Sequence, residues 1–389
     1  MLNQATTQSA GKEAVLENKQ QQDVNQAKEN QVHDLNVLFG EREPLRLAFV
    51  QRVGWDDARI ETMGEDCAFR RYYRLTKPGG STALVMDSIL ELEDKVAPAH
   101  KLRDVVKLSP MLKAAGLNVP EVYESDLEKG YALIEDFGDY SFNDALSAGE
   151  NEEDLYTLAT RILKTFKQSD ELQDLDLNNY YDTHVHANRV DIVHWYRPAA
   201  LYEANPDGLV DSYLAAWDEI ESALPPCPKG FTHCDFHVDN LMVLEGKEGL
   251  ERIGLLDFQG AVSGPLPYDL ANLLEDARKT LPKPLKTKLK DLYCEGMSAE
   301  ERDVFDAWYR VLATQFHCRV IGLFVRLLVR DNKDIHLHHV PRLQNYIVEA
   351  LDDPIMAPLA RWFKESDIDL SEPLPAFDLP KLRGILGLE

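Results

Sequence analysis

Cysteine is scarce in this chain: Cys67, Cys227, Cys234, Cys294 and Cys318 are the five among 389 residues. Their number is odd and no Cys-x-x-Cys spacing occurs, which speaks against a disulfide framework or a zinc ribbon and fits a reducing compartment. Long apolar runs are lacking too. None approaches the ~18–20 residues of a membrane span, and the N-terminus has no apolar stretch of the kind that directs secretion. The expected location is the cytoplasm. Positive charge is in short supply, with 42 Lys and Arg against 67 Asp and Glu and a net charge of -25. A nucleic-acid backbone requires a basic surface, so DNA and RNA are not expected partners. An anionic membrane is not expected either. The acidic excess mainly serves solubility. No internal repeat is visible.

What is present is an ordinary globular composition, 44% hydrophobic and 28% charged. At this length two lobes are expected rather than one small core. Residues 1–37 are rich in Gln, Asn, Glu and Lys and read as a disordered or loosely helical tail. A helix containing Leu45, Leu47, Phe49 and Val50 follows. Strands are expected over 58–62, 71–75, 82–86, 119–124 and 130–135, with Pro78-Gly79-Gly80 as a turn. Leu102, Val105, Val106 and Leu112 set a helix over 97–115, stopped by Gly116. These elements make a five-stranded antiparallel sheet with one inserted helix, ending in a hinge near Glu135. From Ser141 the chain reads as mainly helical, with one β excursion, a hairpin of 241–244 and 253–256 around a polar turn. The fold class is therefore α+β, with a small antiparallel β-sheet lobe over 38–137 and a larger mainly helical lobe over 138–389.

One stretch carries most of the chemical information. His233-Cys234-Asp235-Phe236-His237-Val238-Asp239-Asn240 precedes the hairpin, and Leu255-Leu256-Asp257-Phe258-Gln259 ends it. Phosphoryl transfer needs a carboxylate facing the substrate hydroxyl, and an Asn and a second carboxylate to hold the metal ions that neutralise nucleotide phosphates. Asp235 on a loop can orient a hydroxyl and accept its proton, a contribution of roughly a hundred- to ten-thousandfold in rate. Asn240 offers a neutral oxygen suited to Mg²⁺. Asp257 stands where an apolar strand runs out, so its carboxylate can project from a rigid support. The acidic surface does not exclude a nucleotide, because a metal ion can bridge acid to phosphate. A rival reading makes His233, Cys234, Asp235 and His237 a zinc cluster, since 233, 235 and 237 share a face when extended. Zinc catalysis needs three protein ligands and an open position, but that reading has no use for Asn240 or Asp257.

The motif His233-x-Asp235-x-His237-x-x-Asn240, with Leu256-Asp257-Phe258 and Pro267-Tyr268-Asp269-Leu270-Ala271, resembles the aminoglycoside phosphotransferase superfamily, whose fold is the two-lobed one of protein kinases. The resemblance implies ATP and Mg²⁺ as cofactors and Asp235 as the catalytic carboxylate. It implies Asn240 and Asp257 at the metal, and His233, His237 and Asp269 as supports of the loop. It also implies that main-chain groups of Glu135 and Phe137 receive adenine. Asp269 is a helix N-cap candidate on local grounds. Phe69-Arg70-Arg71-Tyr72-Tyr73-Arg74, Leu133-Ile134-Glu135-Asp136-Phe137-Gly138, Leu274-Glu275-Asp276-Ala277-Arg278 and the segment from Arg319 to Leu327 are similar to one subgroup. These are the anomeric sugar kinases of bacterial cell-wall recycling, which act on N-acetylmuramate and N-acetylglucosamine. A small amino sugar is thus the implied partner, with Asp276 and Arg319 as implied substrate-binding residues.

There are departures from the pattern. The third strand of this fold usually ends in a Lys that pairs with phosphates, whereas here it reads Ala83-Leu84-Val85-Met86-Asp87. A lost charge-assisted bond costs about 1.5–3 kcal/mol. Arg70, Arg71 and Arg74 are the candidate substitutes, with Arg71 assigned to the nucleotide. The loop from Gly64 to Phe69 has a single Gly and offers phosphates only backbone N–H groups. Arg319, Arg326 and Arg330 fall near one helix face and either meet a substrate carboxylate or pair with surface acids. Two further readings stay open: a kinase of the same fold for an aminoglycoside, choline or homoserine hydroxyl, and a nucleotide-binding regulator without turnover.

Overall fold

The structure is a computed structural model that describes residues 35–63, 69–96 and 101–388. Most of the expected tail and the loop 64–68 lie outside the described residues. The chain divides into two compact units. The first comprises the chain up to Val106 with Val122–Asp136, the second Lys107–Glu121 with everything from Phe137 onward.

In the first unit, β1 (Arg59–Thr62), β2 (Arg70–Thr76), β3 (Thr82–Ser88), β4 (Val122–Asp126) and β5 (Tyr131–Ile134) form an antiparallel sheet in the order β1-β2-β3-β5-β4. The β2–β3 turn closes with Lys77 N–H donating to Ser81 O at 2.9 Å, while Gly80 takes φ +87°. Ala83 and Val85 of the central strand pack with Tyr73, Leu75, Tyr131 and Leu133 against Phe49 and Val50 of the Glu43–Arg52 helix. Leu45 and Leu47 of that helix are exposed, so its apolar face is narrower than the sequence indicates. The fourth strand begins at Val122 rather than 119, since Pro120 has no N–H to give a ladder. Among the described residues the insertion after β3 contains two helices, Leu90–Val96 and Leu102–Ala114, where the sequence indicates one over 97–115, whose first residues, 97–100, lie outside the described ones.

The residue at the end of β3 has a structural task of its own. Asp87 is fully buried, with Arg42 Nε at 2.6 Å and Arg46 Nη1 at 3.0 Å. Burial pushes its carboxyl up, and the two arginines pull it back only in part. Asp87→Ala would leave a buried guanidinium without its counter-charge. The expected loss is about 3–5 kcal/mol of stability, read as a lower urea midpoint at unchanged slope. A second buried pair joins Arg70 to Glu93 at 2.9 Å, and Glu93 also accepts from Ser88 Oγ and Leu102 N–H.

The second unit is built around the Ala299–Asp331 helix, whose Val311, Leu312, Ile321 and Val325 meet Tyr213, Trp217, Leu343 and Ile347. By length and composition this helix could cross a bilayer, but 78% of its most apolar window is buried inside the protein, as befits a core helix. Gly322 permits a close crossing, because a Cβ there would lie 2.2 Å from the Asp191 carbonyl carbon. Two strand pairs stand in this unit where the sequence indicates one. β7 (Leu241–Val243) pairs with β8 (Ile253–Leu255) as expected, while β6 (Lys229–Thr232) pairs with β9 (Val262–Pro265). The second pair escapes a sequence reading because Gly230, Gly264 and Pro265 hide its periodicity.

Candidate active site

β6 delivers the chain into the loop 233–240, and β7 carries it away. The Pro267–Leu274 helix clamps the start of that loop. Asp269, buried in its first turn, accepts His233 N–H at Oδ2 (2.6 Å) and Cys234 N–H at Oδ1 (2.9 Å). It is therefore not the cap of its own helix, which starts from Leu266. Burial pushes its carboxyl up to about 7 against those two donors, which favour the charged form. Asn272 adds a bond from Nδ2 to Cys234 O at 3.3 Å. Between these anchors Cys234 adopts φ +72°, a left-handed conformation costly for a residue with a Cβ.

His233 stitches the loop to the end of β8. Its Nδ1 accepts Asp235 N–H at 3.3 Å, so Nε2 carries the proton and donates to Leu256 O at 3.0 Å. Burial lowers this imidazole to about 4 and keeps it neutral. Leu256 N–H in turn donates to Asn240 O at 2.9 Å. The two acidic segments are thus fixed to one another at Leu256, whose carbonyl receives the His233 side chain and whose N–H meets the Asn240 carbonyl.

Asp235 is partly open, its side chain 45% exposed. Oδ1 lies 3.2 Å from His237 Nε2, and Oδ2 accepts Asn240 Nδ2 at 3.0 Å. Burial opposes its charge. His237, by charge and by hydrogen bond, and Arg319 overcome that and hold the carboxyl well below its ordinary value. His237 is itself oriented by Asp239 N–H at its Nδ1 (3.3 Å).

Asp257 also takes a left-handed conformation, φ +59°, which turns its side chain out of the strand direction. Gln259 Nε2 donates to its Oδ1 at 2.8 Å. Asn240 uses its amide nitrogen toward Asp235, leaving its oxygen as a donor atom, and one oxygen of Asp257 remains likewise. A neutral oxygen and a carboxylate oxygen are hard donors that match Mg²⁺ completed by phosphate and water. The zinc reading fails. Among the described residues no group of three or more His, Cys, Asp or Glu side chains is placed to hold a metal.

The other expected residues are distributed as follows. Asp276 is buried; Oδ1 accepts Arg278 N–H (2.8 Å) and Nη1 (3.2 Å), and Oδ2 is buried with no partner among the described residues. Arg278 also contacts Asp239 of the loop. Arg319 donates from Nη2 to Tyr268 Oη at 3.2 Å, whereas Arg326 pairs with Asp191 and Arg330 with Asp331, so the three arginines do not act as one group. Arg71, on β2 in the first unit, bonds Asn36 and stacks over Phe39 at 4.4 Å. Arg74 pairs with Asp136 at 2.7 Å. Glu135 follows β5. Phe137 opens the second unit with its ring where a Gly254 Cβ would stand 2.6 Å away. Gln259, Asn272 and Arg278 are site residues that the sequence reading passed over. Their signal is modest: a polar side chain within or beside an apolar run.

The chain matches the family described as "Phosphotransferase enzyme family" over residues 59–341. A protein of Caulobacter vibrioides named N-acetylmuramate/N-acetylglucosamine kinase is 29% identical over 84% of this chain and 97% of its own. Proteins of the same name from Neisseria meningitidis and Pseudomonas aeruginosa are each 31% identical, over 72% and 77% of this chain and 82% and 86% of theirs. Among solved structures, the choline kinase LicA from Streptococcus pneumoniae superposes with a TM-score of 0.52 over 80% of this chain and 100% of its own, at 12% identity. Wild-type aminoglycoside 2'-phosphotransferase-IIIa in complex with GDP gives 0.53 over 79% and 98%, also at 12% identity. At that identity the superpositions speak to the fold alone, which is the two-lobed kinase-like one. The relatives and the extent of the profile match go further: this chain belongs to the phosphotransferase enzyme family.

Proposed function

We propose that this enzyme is an ATP- and Mg²⁺-dependent amino-sugar kinase that phosphorylates the anomeric C1 hydroxyl of N-acetylmuramate and N-acetylglucosamine in cell-wall recycling. The observation that carries the reading is Asp235, a half-open carboxylate kept ionised by His237 and oriented by Asn240. The names of the three relatives supply the substrate class.

So acidic a carboxyl is a weak base. That suits the reaction, because the transition state of phosphoryl transfer is loose and the attacking hydroxyl keeps its proton until late. Asp235 first holds the hydroxyl in line and then receives the proton as the O–P bond forms. An anomeric hydroxyl is more acidic than an ordinary alcohol, so it is better matched to such a base. Asn240 Oδ1 and Asp257 would hold Mg²⁺, which when bound neutralises the nucleotide phosphates. His233, His237 and Asp269 fix the loop. Main-chain groups of Glu135 and Phe137 would meet adenine, with Arg71 assigned to the phosphates. The partnerless Oδ2 of Asp276 is an acceptor for a sugar hydroxyl or amide N–H.

Phosphorus NMR of the product made from ATP and either sugar tests the reading. A doublet from coupling to the anomeric proton supports it, and a phosphate on another carbon, or no sugar phosphate at all, overturns it.

A further inference from the structure

Arg278, Arg326 and Arg330 of this unit are each paired with a carboxylate, Asp276, Asp191 and Asp331 respectively. Arg319 stands apart. Its bonded contact is the Tyr268 hydroxyl at 3.2 Å, its guanidinium carbon lies 5.8 Å from the Phe316 ring, and its Nε is buried with no partner. Among the described residues no carboxylate comes within ion-pair distance of it. Arg189, Arg342 and Arg383 also lack a carboxylate, but each donates to a main-chain carbonyl, which Arg319 does not. Withdrawing a cation from water without a counter-charge is costly, and such a group is expected where an anion arrives from outside.

Its place says which anion. Tyr268 adjoins Asp269, the clamp of the catalytic loop, so the guanidinium is held beside that loop. Its charge is felt at Asp235. Nη1 and the second proton of Nη2 remain to donate, in the planar fork that fits a carboxylate in two-point fashion. The two sugars named for the relatives differ in one ionisable group, the lactyl ether carboxylate of N-acetylmuramate, on the same ring as the reacting hydroxyl.

We propose that Arg319 receives the carboxylate of an acidic amino-sugar acceptor and so sets the preference for N-acetylmuramate over N-acetylglucosamine. This rests on the amino-sugar reading above. A bond of this kind to a charged group corresponds to about ten- to a hundredfold in affinity. The test compares kcat/KM for both sugars in the wild type, Arg319→Met and Arg319→Lys. Loss of the pull on Asp235 slows both reactions, so the readout is the ratio. The muramate-to-glucosamine ratio is expected to fall about ten- to a hundredfold in Arg319→Met, mostly through KM, and to recover in part in Arg319→Lys. An unchanged ratio overturns the proposal. The wild type with the methyl ester of N-acetylmuramate gives a second measurement that needs no folded variant: the neutral ester should lose the same factor, and an ester used as well as the acid overturns the proposal. Turnover of neither sugar by the wild type would instead bring down the amino-sugar reading, and this inference with it.

Discussion

Asp235→Asn is expected to lower kcat by roughly a hundred- to ten-thousandfold. The amide keeps the size of the side chain and can still accept Asn240 Nδ2 through its oxygen, so the loop loses little of its shape. It cannot take a proton, and its NH₂ would face the protonated Nε2 of His237, now 3.2 Å from Oδ1. The hydroxyl therefore loses both its orienting acceptor and its proton sink. Because the deficit arises at the transition state, kcat and kcat/KM should fall together while nucleotide affinity holds. Steady-state kinetics beside a nucleotide-binding titration check this. A variant within about threefold of wild-type kcat, far short of the loss a missing general base brings, would remove Asp235 from the chemistry.

The next largest effect is expected at Asp257. Asn is the informative replacement, because it tolerates the left-handed conformation that this position occupies at φ +59° and can still receive Gln259. What it removes is one negative charge from the proposed metal site. Metal-borne charge stabilisation amounts to several kcal/mol, so kcat at ordinary Mg²⁺ should fall by about a hundred- to a thousandfold. Raising Mg²⁺ should recover part of the loss. Titration with Mn²⁺ in the presence of nucleotide, followed by its magnetic resonance signal, should show weaker uptake independently of turnover. Unaltered Mn²⁺ uptake would place the metal elsewhere.

The proposed catalytic stretch is legible in the sequence because its residue types are chemically unusual and its hairpin alternates cleanly, so Asp235, Asn240 and Asp257 stand out. The bracing of that stretch was only partly legible. Asp269 could be named through family resemblance, but local rules make it a helix cap. Its true partners, His233 and Cys234 N–H, lie 36 and 35 residues back in the chain. Gln259 was passed over because a lone amide in an apolar neighbourhood has no periodicity. The β6–β9 pair was hidden by glycine and proline. At the end of β3 the sequence showed only that a Lys was missing. The structure supplies the reason for an acid there: Asp87 ties the N-terminal helix to the sheet through Arg42 and Arg46.

The stitching of Asp235 to Asp257 has a consequence for how this lineage can change. The bonds that join Asp235, Asn240, Leu256 and Asp269 run within the contiguous stretch from Lys229 to Leu274, while Asn143 and Arg278 reach Asp239 from outside it, and Asn118 O and Tyr140 O receive Leu255 N–H and Val243 N–H. Arg319 belongs to a different and later part of the chain, the Ala299–Asp331 helix, joined to that stretch through Tyr268 and, just past its end, through Glu275 to Tyr309 and His317. On the proposed roles, chemistry and acceptor choice would thus lie on separate segments. A substitution in the later helix would then shift the preference for one acceptor or another while leaving the bonds of His233, Leu256 and Asn240 in place.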